Sequence, residues 1–178
     1  TSVGAKDIIK NCKVYKNLES SVKKIDYLIA TTSRFRNKNI KHIKLKDLNK
    51  IDYTNKVAFL FGSEASGLSN NEISYANYTL QIPTNPNFKS LNLSHSVIII
   101  AQILASIIKL ETSNYSMSKK IKSAKKKDIQ VMANFCIKKL EGRNFFKPIE
   151  KKPIMLENLR SIFYKMELSE KEIRILSS

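Results

Sequence analysis

Apolar residues are spaced along this chain in two alternating ways. Continuous short runs at 26–31 (DYLIAT), 57–61 (VAFLF) and 78–82 (YTLQI) have the length and the β-branched or aromatic content of strands buried in a sheet. A weaker run near 12–15 predicts one more strand. Between the runs, apolar positions recur at helical spacing. A short helix is expected over 5–10, and another over 18–25 in which Leu18, Val22 and Ile25 share a face behind Asn17 as the cap. Ser69 and Glu72 form an S-x-x-E capping box for a third helix, and a long apolar helix follows SLNLS at 90–94. Strand and helix alternate, which predicts an α/β fold with a mostly parallel sheet. The polar, lysine-rich stretch 37–56 reads as a connection with a helical turn or two at LKDLNKI; His42 within it reads as exposed.

The pattern changes after Leu110. A polar linker leads into KKIKSAKKK, with six lysines between Lys119 and Lys127. Ile129, Met132, Ala133, Cys136 and Leu140 then recur at helical spacing, with Gly142 as the expected cap. Leu156, Leu159, Ile162 and Phe163 mark a second amphipathic helix, and Ser169 with Glu172 a capping box for a last one. The chain therefore divides into an α/β domain, 1–112, and a basic helical C-terminal extension, 113–178.

Composition sharpens this picture in one respect. The 32 basic and 15 acidic residues leave a net charge of +17, and a pI of about 9.9 predicts attraction to a polyanion, nucleic acid first. With hydrophobic residues at 42%, the chain is not disordered by composition. Cys12 and Cys136 have no C-x-x-C or Cys/His partner pattern, so neither a disulfide framework nor a metal site is expected. The most apolar run, 97–108, is shorter than a bilayer span and is interrupted by Gln102 and Ser106, so no membrane segment is expected. With no signal-peptide pattern at the N-terminus, a cytoplasmic location follows as the expectation.

Two strand-end loops carry the candidate chemistry. FGSEASGL (61–68) holds Gly62 and Gly67, two of the chain's four glycines. A glycine directly after a strand permits close approach of a ligand, and the second relieves a positive φ before the next helix. The other loop, IPTNPNFKSLNLS (82–94), is stiffened by Pro83 and Pro86. A third strand-end segment, TTSRFR (31–36), offers hydroxyls for a polar ligand and Arg34 and Arg36 for phosphates, with a solvated basic turn as the alternative. There is no G-x-G-x-x-G after a strand and no G-x-x-x-x-G-K-[ST], which disfavours Rossmann and P-loop readings. His95 opens the long helix without a second ligand or carboxylate, and reads as structural.

F-G-x-E-x-x-G-L followed by I-P and S-L-N-L-S at this spacing resembles the second and third motifs of the SPOUT (α/β-knot) RNA ribose methyltransferases, TrmH/TrmJ branch. T-T-S-R-F-R is similar to that branch's upstream Thr-Ser/Thr-x-Arg-x-Arg segment. The resemblance implies a trefoil-knot fold, a homodimer, S-adenosyl-L-methionine as cofactor, and 2′-O-methylation of a ribose in tRNA or rRNA, with the first anticodon-loop position as one candidate target. It implies that Gly62, Ile82 and Leu91 bind the cofactor through backbone groups, with Thr31, Thr32, Ser33, Ser90 and Asn92 beside them. Glu64, Ser90 and Asn92 are the polar side chains it leaves at the reaction, holding the loops and orienting the ribose. Each also has a plain alternative: Glu64 binding loop N–H groups, Ser90 as a helix cap, Asn92 satisfying backbone. Arg34, Arg36, Lys125, Lys126 and Lys127 are the RNA-binding candidates, and no metal is implied. The family's first motif, N-x-G-x-x-x-R, does not occur; Gly4 with AKDIIK matches the region after it. The expectation is thus a chain starting some tens of residues into the domain, or a degenerate member. A knotted dimer that binds structured RNA without catalysis is the alternative to the enzyme.

Overall fold

The computed structural model describes residues 4–33, 40–88, 90–111 and 123–177. Four strands, β1 (Tyr27–Thr31), β2 (Lys41–Lys44), β3 (Val57–Leu60) and β4 (Tyr78–Gln81), form one sheet in the order β2-β4-β1-β3, and every pair is parallel. The helices are α1 (Lys6–Lys10), α2 (Leu18–Val22), α3 (Asn70–Ile73), α4 (Leu93–Glu111), α5 (Lys126–Glu141), α6 (Lys152–Lys165) and α7 (Glu170–Leu176).

The period-2 geometry of the central strand β1 divides the core in two. Leu28 and Ala30 face a cluster with Val22, Ile73 and, from the C-terminal helices, Ile129, Met132, Tyr164 and Ile173. Ile29 faces the opposite cluster, where Leu80 and Leu48 pack with Ile100, Ile103, Leu104 and Ile107 of α4. The helices of the C-terminal extension thus cover one face of the sheet and α4 the other. Burial of both faces of β1 explains why its sequence is an unbroken apolar run.

A buried polar node fixes this arrangement. The Asn77 side-chain carbonyl accepts from Leu28 N (2.9 Å) and from the Lys126 ammonium, while its amide donates to Tyr164 O (2.9 Å). Lys126 also donates to Tyr75 O at 2.9 Å, and its Nζ lies 4.3 Å from the centre of the Tyr164 ring. Backbone bonds from Lys126 N to Ile25 O and from Ala124 N to Leu168 O complete the seam. Lys126 is therefore corrected as an RNA contact: it is 1% exposed and holds the tail to the sheet. Its neighbours Lys125 and Lys127 are exposed.

Asn17 caps α2, and both capping boxes form as the sequence predicts, Ser69 with Glu72 and Ser169 with Glu172. Two expectations change. Residues 12–15 form no strand: Val14 is 96% exposed, and the segment finds no ladder partner among the described residues. β2 arises instead inside the polar connection, because an edge strand needs only Ile43 turned inward and its lysines suit an open edge. Exposed His42 lies on it, its Nδ1 3.3 Å from Thr79 Oγ1. Gly142 caps α5 as expected, in right-handed geometry, and Asn144 two residues on takes a left-handed φ of 53°.

Burial pushes the Lys126 ammonium well below the ordinary lysine range, opposed by the Glu167 carboxylate. Between that lowered value and the ordinary range, the unfolded chain holds a proton that the folded chain has released, so stability rises with pH in that window. Urea denaturation should therefore show the unaltered protein gaining stability relative to Lys126→Met as pH rises toward about 10. Parallel pH profiles would contradict the account.

Candidate functional site

Because the strands are parallel, the loops that follow them gather at one edge, where open α/β sheets bind their ligands. Thr31 ends β1, and its hydroxyl donates to Leu60 O at 3.0 Å. Thr32 N donates to Leu80 O (3.0 Å) and Gln81 Nε2 to Ser33 O (3.3 Å), so the first segment is tied to both neighbouring strands.

The loop after β3 folds back on itself. Gly67 N donates to Ser63 O at 2.9 Å, and the Ser63 and Ser66 hydroxyls are 2.8 Å apart. Gly67 has φ +67°, as the sequence predicts. Gly62 is required for a different reason from ligand approach: a Cβ there would lie 2.2 Å from Gly67 C and 2.4 Å from Leu68 N. The loop's own return strand occupies the space a side chain would need.

The two motif loops meet through Glu64 and Asn92. Asn92 Nδ2 donates to Glu64 Oε1 at 2.7 Å, and Leu93 N reaches the same oxygen at 3.4 Å. Asn92 Oδ1 accepts from Ser94 N (2.9 Å), so Asn92, rather than Ser90, caps α4. The Glu64 carboxylate also stands at the positive end of a 19-residue helix, where a negative charge is favoured.

Between the loops lies a cavity of about 190 Å³. Thr31, Thr32, Ser33, Gly62, Glu64, Ile82, Ser90 and Leu91 all line it. Asn92 stands outside the lining, its amide committed at both ends to protein partners. Ser63, Ser66, Thr84 and Ser96 add hydroxyls to the wall that the sequence reading did not single out. Ser63, Ser66 and Thr84 had only their position within the two motif loops as a signal, and Ser96 had none beyond lying in the first turn of α4, since serine and threonine are common on any surface. Arg34 and Arg36 lie outside the described residues. Among the described residues no group of His, Cys, Asp and Glu could hold a metal ion, and no helix is long and apolar enough to cross a membrane.

A model of the SpoU rRNA methylase family matches residues 1–102, and the chain belongs to that family. Its fold is that of TrmJ from Z. mobilis ZM4, which superposes with a TM-score of 0.84 over 98% of this chain and 74% of that one, at 24% identity. The tRNA (cytidine-2′-O-)-methyltransferase TrmJ of Sulfolobus acidocaldarius is 38% identical over 100 residues, 54% of this chain and 43% of that protein. The enzyme of the same name from Methanocaldococcus jannaschii is 30% identical over 136 residues, 74% of this chain and 58% of that protein. The chain spans about half the length of the curated relatives it matches.

The two loop glycines should respond differently to alanine. Gly62→Ala forces backbone apart and should cost about 1–3 kcal/mol. Gly67→Ala meets nothing within 4 Å and carries only the strain of its φ, about 1–2 kcal/mol. Denaturant titrations should place Gly62→Ala as the less stable variant; the reverse order would contradict the packing described.

Proposed function

We propose that the protein is an S-adenosyl-L-methionine-dependent ribose 2′-O-methyltransferase acting on tRNA, with rRNA as the alternative substrate. The carrying observation is that three strand-end segments, 31–33, 61–68 and 82–91, converge on one cavity whose walls suit this cofactor. Apolar Phe61, Leu80, Ile82 and Leu91 fit an adenine ring, and the hydroxyl-bearing Thr31, Thr32, Ser33 and Ser90 fit its ribose and amino-acid parts. Glu64, the one carboxylate in the lining among the described residues, has the sign required beside a sulfonium.

When bound, the cofactor supplies an electrophilic methyl group. The protein's task is then alignment, placing a ribose 2′-oxygen in line with the methyl carbon and sulfur. Gly62, Ile82 and Leu91 hold the cofactor through backbone, with Thr31, Thr32 and Ser33 along its side. Ser90 faces the same space as an orienting hydroxyl. Glu64 and Asn92 lock the two loops together and thereby hold that geometry. Exposed Lys125 and Lys127, with Arg34 and Arg36, are the proposed phosphate contacts.

A homodimer is part of the proposal. α4 turns Ile100 into the core but leaves Val97, Ile98 and Ile108 between 43% and 62% exposed, an apolar face consistent with a second copy as its cover. Ile98→Asp should shift the protein toward monomer in analytical ultracentrifugation; an unchanged state would remove α4 from the interface.

Mass mapping of methylated ribose in tRNA and rRNA, after incubation with cofactor and protein expressed from its full reading frame, tests the activity. Methyl transfer to a ribose is the expected result; RNA binding without any methylated product would favour the non-catalytic dimer. Within the site, Asn92→Ala should lower single-turnover methylation about ten- to a thousandfold, well beyond its effect on cofactor affinity. Loss of the α4 cap adds about 1 kcal/mol of destabilisation. A rate loss matched by lost cofactor binding would refute the positioning role.

A further inference from the structure

We infer that Phe88 is a stacking platform for a nucleobase of the substrate RNA at the mouth of the cavity. The inference rests on the methyltransferase reading and names a contact for the RNA that the loop motifs do not.

Phe88 is 74% exposed. The ring is nevertheless carried on a built support. Phe88 N donates to Asn85 O at 2.9 Å and Asn87 N to Asn85 Oδ1 at 2.9 Å, closing a turn with Pro86 at its second position. The same loop contributes Thr84 and Ser90 to the cavity wall on either side of the turn. Other exposed phenylalanines have neighbours: the Lys139 ammonium lies 5.4 Å from the Phe135 ring, and Phe145 packs edge-on against Phe146 at 5.4 Å. Phe88 instead presents its ring to solvent, outside the cavity lining but in the loop that supplies Thr84 and Ser90 to it.

The chemistry of the substrate supplies the occupant. A ribose 2′-hydroxyl reaches a strand-end cavity most readily when its nucleotide has left the base stack, which leaves the π face of that base or of a neighbour uncovered. An exposed aromatic ring on a turn with a held backbone covers such a face without base specificity. The net charge of +17 draws the phosphate backbone toward the protein, whatever the sequence of the strand.

The test compares the unaltered protein with Phe88→Ala and Phe88→Trp. Affinity for unmodified tRNA is read by fluorescence anisotropy, S-adenosylhomocysteine affinity by calorimetry, and oligomeric state by ultracentrifugation. Phe88→Ala should weaken tRNA binding about five- to a hundredfold, Phe88→Trp should restore it, and neither should alter S-adenosylhomocysteine binding or oligomeric state. Equal tRNA affinity of Phe88→Ala and the unaltered protein overturns the inference. So does a change of oligomeric state in Phe88→Ala, which would assign the ring to a protein interface. Failure of the unaltered protein to bind S-adenosylhomocysteine would overturn the methyltransferase reading itself, a result distinct from either.

Discussion

The side chain of Asn77 is the point from which the rest of the structure is held. Its two polar ends reach the backbone of β1, the backbone of α6 and the ammonium at the start of α5. All of these groups are buried, so each unmade bond would cost more than each made one contributes. β4 starts at the next residue. One amide therefore sets where β1 and β4 begin relative to each other and where the helical tail lies on both. Lys126 makes the arrangement selective, because an ammonium removed from water tolerates only a site that supplies acceptors and an aromatic face.

From that fixed end the parallel sheet carries registration to the opposite edge. β1 lies between β3 and β4, with Ala30 opposite both Leu60 and Thr79. The three segments that leave these strands consequently begin side by side. Gly62 lets the second turn back tightly, and the Glu64–Asn92 bond joins it to the third. The cavity is thus a product of strand register rather than of any single strong contact, and the exposed bonds at its rim are individually weak.

The sequence made much of this legible. Continuous apolar runs located β1, β3 and β4, because strands buried on two faces need no polar positions. The two motif loops and the 31–36 segment together supplied the eight candidate site residues that line the cavity. What stayed hidden has physical causes. β2 is an edge strand with one inward residue, so His42 and its flanking lysines concealed it. The 12–15 run has strand composition, but composition does not supply a ladder partner. Lys126 looked identical to Lys125 and Lys127 in a basic run; only the helical phase of α5 sends one of them into the core. The apolar faces of the tail helices were visible in their helical spacing, whereas the surface they pack on, the Leu28 and Ala30 face of β1, becomes apparent only in the packed structure. Ser90 and Asn92 were both open to capping roles, and the helix start at Leu93 assigns the cap to Asn92.

The central claim is that residues 31–33, 61–68 and 82–91 form one cofactor site. Hydrogen–deuterium exchange with and without S-adenosylhomocysteine tests it directly. The account predicts added protection in those three segments together, with the Asn77 seam and the C-terminal helices unchanged. Protection confined to one segment, or appearing elsewhere while these three remain unaltered, would contradict it.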